Sequence, residues 1–185
     1  MLSALRPGAV ALARPARHAA VRCCTTAAEH KLNIAKAVDK AHEGKTFKEI
    51  VKLPPGALQG LKEGKADDML AAFKIKSIRD LAKWKHYRAA RAIAVLAKTE
   101  VADARPAGSL LNVNGLVDQA YEAATLNELL AAPPSALQGL APWTDGALAK
   151  LKIKSVGDLA KWKYASWADA LVTLAEYERE DMSSR

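Results

Sequence analysis

Apolar residues recur along this chain at helical spacing, in short groups separated by proline, glycine or capping residues. Ile34, Val38 and Ala41 mark one stripe, and Val113, Val117 and Ala120 mark a matching one, each predicting a helix. The apolar pairs Ile50–Val51 and Leu129–Leu130 follow Thr-x-x-Glu sequences at Thr46–Glu49 and Thr125–Glu128. In that spacing the hydroxyl accepts a first-turn N–H and the glutamate reaches back to the cap, so each opens a short helix. Pro54-Pro55 and Pro133-Pro134 stop it, because proline lacks an N–H and disfavours helix in the residue before it. A third helix is predicted over about Asp67–Phe73, and again over about Asp145–Leu151. Ser77–Asp80 and Ser155–Asp158 cap a fourth, carrying Leu81 and Trp84, or Leu159 and Trp162. A last helix carries Ala89, Ile93 and Leu96, or Trp167, Leu171 and Leu174. No run of alternating β-branched residues predicts a strand. The expected fold is all-α, with about five short helices in each half.

The halves repeat each other. "VDKAHEGKTFKEIVKLPPGALQGL" from Val38 aligns with "VDQAYEAATLNELLAAPPSALQGL" from Val117, and "KIKSIRDLAKWK" from Lys74 with "KIKSVGDLAKWK" from Lys152. The match reads as a tandem duplication in which each copy is one structural unit. Residues 29–104 form the first module and 112–181 the second, with a short tail at 182–185. Pro106 and Gly108 place the linker near Ala102–Leu111, with its centre at 105–111.

Composition changes this picture at the ends. The chain has 185 residues, half of them hydrophobic, and no uninterrupted apolar run approaches the ~18 residues of a membrane span. Residues 1–28 carry Arg6, Arg14, Arg17 and Arg22, many small residues and no acid, the pattern of an amphipathic organellar leader. We read a mitochondrial presequence cleaved near Cys23–Ala27, with a chloroplast transit peptide as the rival. Cys23 and Cys24 are the only cysteines, so the mature chain has no disulfide framework or thiolate site. Charge is unevenly divided: residues 29–108 hold 17 Lys/Arg against 10 Asp/Glu, and residues 109–185 hold 7 against 10. The first module is basic and the second mildly acidic.

The segment Leu58-Gln-Gly60-Leu61, followed by Asp68, Leu70 and "KIKSIRDLA", resembles the helix-hairpin-helix family, as does its copy at Leu137, Gly139 and Leu140. The resemblance covers roughly thirty residues per copy. It implies a hairpin joining two short helices, which in that family can hold a nucleic-acid phosphate on backbone amides. The phosphate-binding form needs a second glycine just after the first. Here Lys62-Glu63 and Ala141-Pro142 stand there, and Pro142 removes a donor. The residues themselves read as a structural hairpin, with the glycines permitting the turn and the leucines plugging the core.

Candidate chemistry is sparse. The other copy has Tyr121 and Tyr164 at the positions of His42 and His86, and no short-spaced ligand set accompanies the histidines, so no metal or cofactor is expected. Asp80 and Asp158 are accounted for as caps. No phosphate loop, nucleophile elbow or carboxylate pair points to an enzyme. The best functional candidate is the basic cluster Lys74, Lys76, Arg79, Lys83, Lys85, Arg88 and Arg91, interleaved with Trp84 and Tyr87. Trp84 and Trp162 recur and read as core anchors.

In style the chain is similar to the small, nucleus-encoded accessory subunits of mitochondrial inner-membrane complexes, particularly in green algae: those of the ATP synthase peripheral stalk or complex I. That likeness implies a non-catalytic subunit on the matrix side of the inner membrane, bridging protein subunits. An anionic lipid surface is a further candidate partner. The alternative is a matrix nucleic-acid-binding protein of the mitoribosome or nucleoid, using the basic face of the first module.

Overall fold

Local hydrogen bonding starts most of the helices. Thr46 is extended, its hydroxyl accepts from the Glu49 amide at 3.2 Å, and the Glu49 carboxylate accepts from the Thr46 amide at 2.9 Å. This reciprocal cap opens α1 (Phe47–Ile50). The structure, a computed structural model, describes residues 30–182 apart from 62 and 63. The segment expected to be a presequence, with its expected cleavage site, lies outside the described residues.

Further along, α2 spans Lys65–Ala71, and Ser77 with Asp80 caps α3 (Ile78–Ala82). The longer α4 covers Lys85–Leu96. Thr125 with Glu128 caps α5 (Leu126–Ala131), and α6 spans Trp143–Lys150. Ser155 with Asp158 caps α7 (Val156–Ala160), and α8 runs over Lys163–Tyr177. Among the described residues there are no strands, only two isolated antiparallel bridges, so the fold is all-α. No described helix is long and apolar enough to cross a membrane.

Three expectations need correction. The stripe Ile34–Val38–Ala41 is not an α-helix, nor is Val113–Val117–Ala120. Val38 instead bridges Leu58 and Val117 bridges Leu137, leaving single 3-10 turns at Lys40–His42 and Gln119–Tyr121. The physical cause is the proline pair. It drives a 3-10 turn that delivers Leu58 extended (ψ 130°), and its neighbours exchange Asp39 N–H···O Ala57 (2.9 Å) and Gln59 N–H···O Ala37 (3.0 Å). Second, Trp84 and Trp162 lie beyond α3 and α7. Each is extended and immediately precedes a long helix, although both indoles are buried. Third, the inward stripe of the long helices is Ala90, Ile93 and Ala97, matched by Ala168, Leu171 and Ala175. Leu96 and Leu174 are exposed.

The helix α2 ends in a left-handed residue. Lys74 has φ 62°, and the Ile75 amide reaches back to the Leu70 carbonyl at 3.1 Å while that of Lys74 reaches Ala71 at 2.9 Å. Lys152 (φ 64°), Ile153, Leu148 and Ala149 make the same bonds after α6. This is a Schellman ending, and its buried C-terminal residue packs with the helix's last turn. Ile75, Ile153, Leu70 and Leu148 are all buried accordingly.

The long helices are exchanged between the sequence repeats. Helix α4 of the first repeat packs on α5 and α7 of the second, and α8 of the second packs on α1 and α3 of the first. Beyond each long helix a glutamate finishes the exchange. Glu178 accepts from the Phe47 and Lys48 amides at 2.7 and 2.8 Å, and Glu100 accepts from the Leu126 and Asn127 amides at 2.9 and 3.0 Å. Helix-start amides have no partner within their own helix, so each repeat supplies the acceptors the other lacks. Buried residues of both repeats form one hydrophobic cluster, and Leu32–Met182 form one compact unit.

Candidate functional site

The repeated hairpins are held by backbone and by carboxylates of the chain itself. Gly60 (φ 89°) and Gly139 (φ 92°) occupy a backbone region that side chains disfavour. Leu58 and Leu61, with Leu137 and Leu140, are buried on either side of them. The Leu61 amide bonds the Leu58 carbonyl at 3.0 Å, and that of Leu140 bonds Leu137 at 3.1 Å, closing each turn. Asp67 accepts from the Gly56 amide at 2.7 Å and the Gly64 amide at 3.0 Å. Asp145 does the same work on Ser135, accepting from its amide at 2.9 Å and its hydroxyl at 2.6 Å. A carboxylate thus stands at the start of α2 and of α6, where a bound phosphate would meet like charge.

A side chain of the other repeat approaches each exposed hairpin glycine. A Cβ built on Gly60 would stand 3.1 Å from the Tyr164 hydroxyl, and one on Gly139 would stand 3.2 Å from Lys85 Nζ. His86 is buried beside Gly139, and its Nε2 donates to the Gln138 carbonyl at 3.2 Å. Burial pushes the imidazole below its ordinary pKa. Lys85 adds to that shift, and the bond to Gln138 opposes it.

The basic residues singled out in the sequence do not act as one uniform patch. Lys74, Lys76, Arg79, Lys83, Lys85, Arg88 and Arg91 are all exposed. Arg91, however, is paired with Asp169 of α8, a hydrogen bond that raises the guanidinium pKa further. Lys85 reaches the second hairpin, and Lys74 is the left-handed residue after α2. The interleaved aromatics face inward: Trp84 is 6% exposed and Tyr87 1%, with the Tyr87 hydroxyl 3.1 Å from that of Ser166. They offer no free ring face to a stacked base.

A second feature was missed by sequence reasoning. Between the first hairpin and the α6–α8 segment lies a groove of about 760 Å³. Leu61, Ala66, Met69 and Leu151 give it apolar walls, with Trp162 and Tyr164 at one side. Lys150, Lys152, Lys161 and Lys163 also line it. Lys163 sits over the Tyr164 ring at 4.7 Å and the Trp167 ring at 4.9 Å, within cation–π range. Asp158 is the one acid among the described lining residues, and it is committed to the α7 cap, accepting from Lys154 N–H at 3.0 Å and Ser155 N–H at 3.2 Å. The usable signal was the lysines common to both repeats (Lys74/Lys152, Lys83/Lys161, Lys85/Lys163), which the net charges of the halves obscured.

The arrangement can hold an anion beside apolar surface. Among the described residues no group of three or more His, Cys, Asp or Glu is placed to hold a metal ion. Compared with known protein families, curated proteins and solved structures, the chain matches none of them.

Proposed function

We propose that this protein is a non-catalytic accessory subunit, built from two tandem homologous helix-hairpin-helix-like modules, that bridges protein partners in a mitochondrial inner-membrane respiratory assembly. ATP synthase and complex I are the candidate assemblies, on the matrix side. One observation carries the reading. The polar residues that recur in both repeats (Thr46 and Glu49, Ser77 and Asp80, and their counterparts) are engaged in helix caps, whereas the lysines and arginines are left on the surface. Groups held in caps maintain a shape; exposed charges recruit a partner of opposite sign. The leader-like first 28 residues support the compartment.

Native-gel slices of organelle extract read by mass spectrometry test the proposal. The protein should comigrate with a respiratory complex, and migration alone at its own mass would end the reading. The alternative, nucleic-acid binding through the first repeat, draws on the exposed cations of α3 and α4. It is weakened by the inward-facing Trp84 and Tyr87 and by the carboxylates at the hairpins. It requires an affinity that falls steeply with added salt.

A further inference from the structure

We propose that the lysine-rimmed groove beside the first hairpin receives an acidic, amphipathic segment of a partner protein. The inference rests on the docking reading above and names the surface and the chemistry of what docks. Four lysines supply the charge, and Leu61, Ala66, Met69 and Leu151 supply an apolar bed suited to leucine-sized side chains.

The two repeats treat the corresponding place differently. By sequence register, Trp143 corresponds to Lys65, and Phe73 to the groove residue Leu151. Trp143 stacks on Phe73, with ring centroids 6.3 Å apart and planes 17° from parallel, and Phe73 in turn packs on Trp84. In the second repeat an exposed indole thus stacks on the residue that corresponds to Leu151, while the groove beside the first hairpin is open.

Lys152 holds φ 64° on the groove wall, as Lys74 holds φ 62° in the other repeat, so the left-handed turn belongs to the helix ending both share. A protein carboxylate fits better than a nucleic acid. The hairpin amide of Leu61 is already bonded, Asp67 stands at the start of α2, and Lys163 covers the Tyr164 face a base would need.

The experiment uses the full chain and a fluorescein-labelled peptide of alternating glutamates and leucines. Fluorescence anisotropy should show saturable binding at one site that is lost when glutamine replaces glutamate. A variant with Lys152→Gln and Lys161→Gln should bind roughly tenfold more weakly, as loss of two exposed ion pairs implies. Trp143→Lys should open a second site and double the stoichiometry. Lys152→Gly separates roles: it should raise the thermal midpoint while weakening peptide binding. Equal binding of the glutamine peptide, unchanged affinity in the Lys152/Lys161 variant, or preferential binding of polyuridylate or cardiolipin vesicles at this groove would overturn the proposal. If the groove variants still comigrate with a complex and the peptide does not bind, the groove fails and the docking reading stands. If the wild-type protein migrates alone yet binds the peptide through these lysines, the reverse holds.

Discussion

The first and second hairpins share nearly every residue, yet their surroundings differ. Over Gly60 lies the Tyr164 hydroxyl; over Gly139 lie Lys85 and the buried, neutral-leaning His86. Beside the first is an open groove, and beside the second Trp143 stacks on Phe73. The comparison teaches that two nearly identical turns differ because each receives different neighbours from the other repeat. The ion pair Arg91–Asp169 makes the point, because these residues occupy equivalent positions in the two repeats and face each other. In a symmetric pair of identical copies the same residue would meet itself there, and like charges would repel. Here one repeat carries Arg and the other Asp at that position.

The sharpest way to break the comparison is to separate the repeats. Residues 30–104 alone lack α8, so α1 and α3 lose their cover and the α4 face loses its partners. That fragment should show no cooperative urea transition by circular dichroism and should recover one on mixing with residues 105–185. A cooperative, monomeric melt of the fragment would show that the helix exchange is dispensable. Next in size, Leu58→Ala and Leu137→Ala each remove a fully buried side chain and should cost about 2–5 kcal/mol. Because both belong to one cluster, either variant should shift the whole denaturation curve as a single transition.

Acid should distinguish the two hairpins more gently. His86 is favoured neutral by burial, whereas an unfolded histidine takes up a proton below about pH 6.5. Its contribution is thus complete above that pH and is lost as pH falls toward its depressed folded value. His86→Tyr, the residue of the other repeat, should remove this loss in thermal melts below about pH 6.5. A separate loss should follow at lower pH, as protonation releases the amide-bonded carboxylates of Glu49, Glu100 and Glu128, all held below their ordinary pKa. The smallest effect is at the charge pair. Both partners are partly exposed, so Arg91→Asp should cost only about 0.2–1 kcal/mol, and adding Asp169→Arg should restore it in a double-mutant cycle.

Much of the local structure was legible in the chain. The Thr-x-x-Glu and Ser-x-x-Asp caps opened helices where their spacing placed them, because both partners of each cap lie within four residues. The stripe at Val38 misled, because its apolar spacing fits a helix equally well whether the backbone bonds internally or to a neighbour such as Leu58. The groove was hidden for a different reason. Its walls come from residues about ninety positions apart, and its four lysines sit in the half whose net charge is acidic.

The amino-acid sequence by itself determined the helices opened by Thr and Ser caps and the left-handed turns at the glycines, since each depends on the conformational preference of a few adjacent residues. Tertiary structure alone decided which repeat each long helix would cover, because two nearly identical apolar surfaces were on offer and only packing in three dimensions selects between them. It also decided where the groove beside the first hairpin opens, since its walls come from segments far apart in the chain.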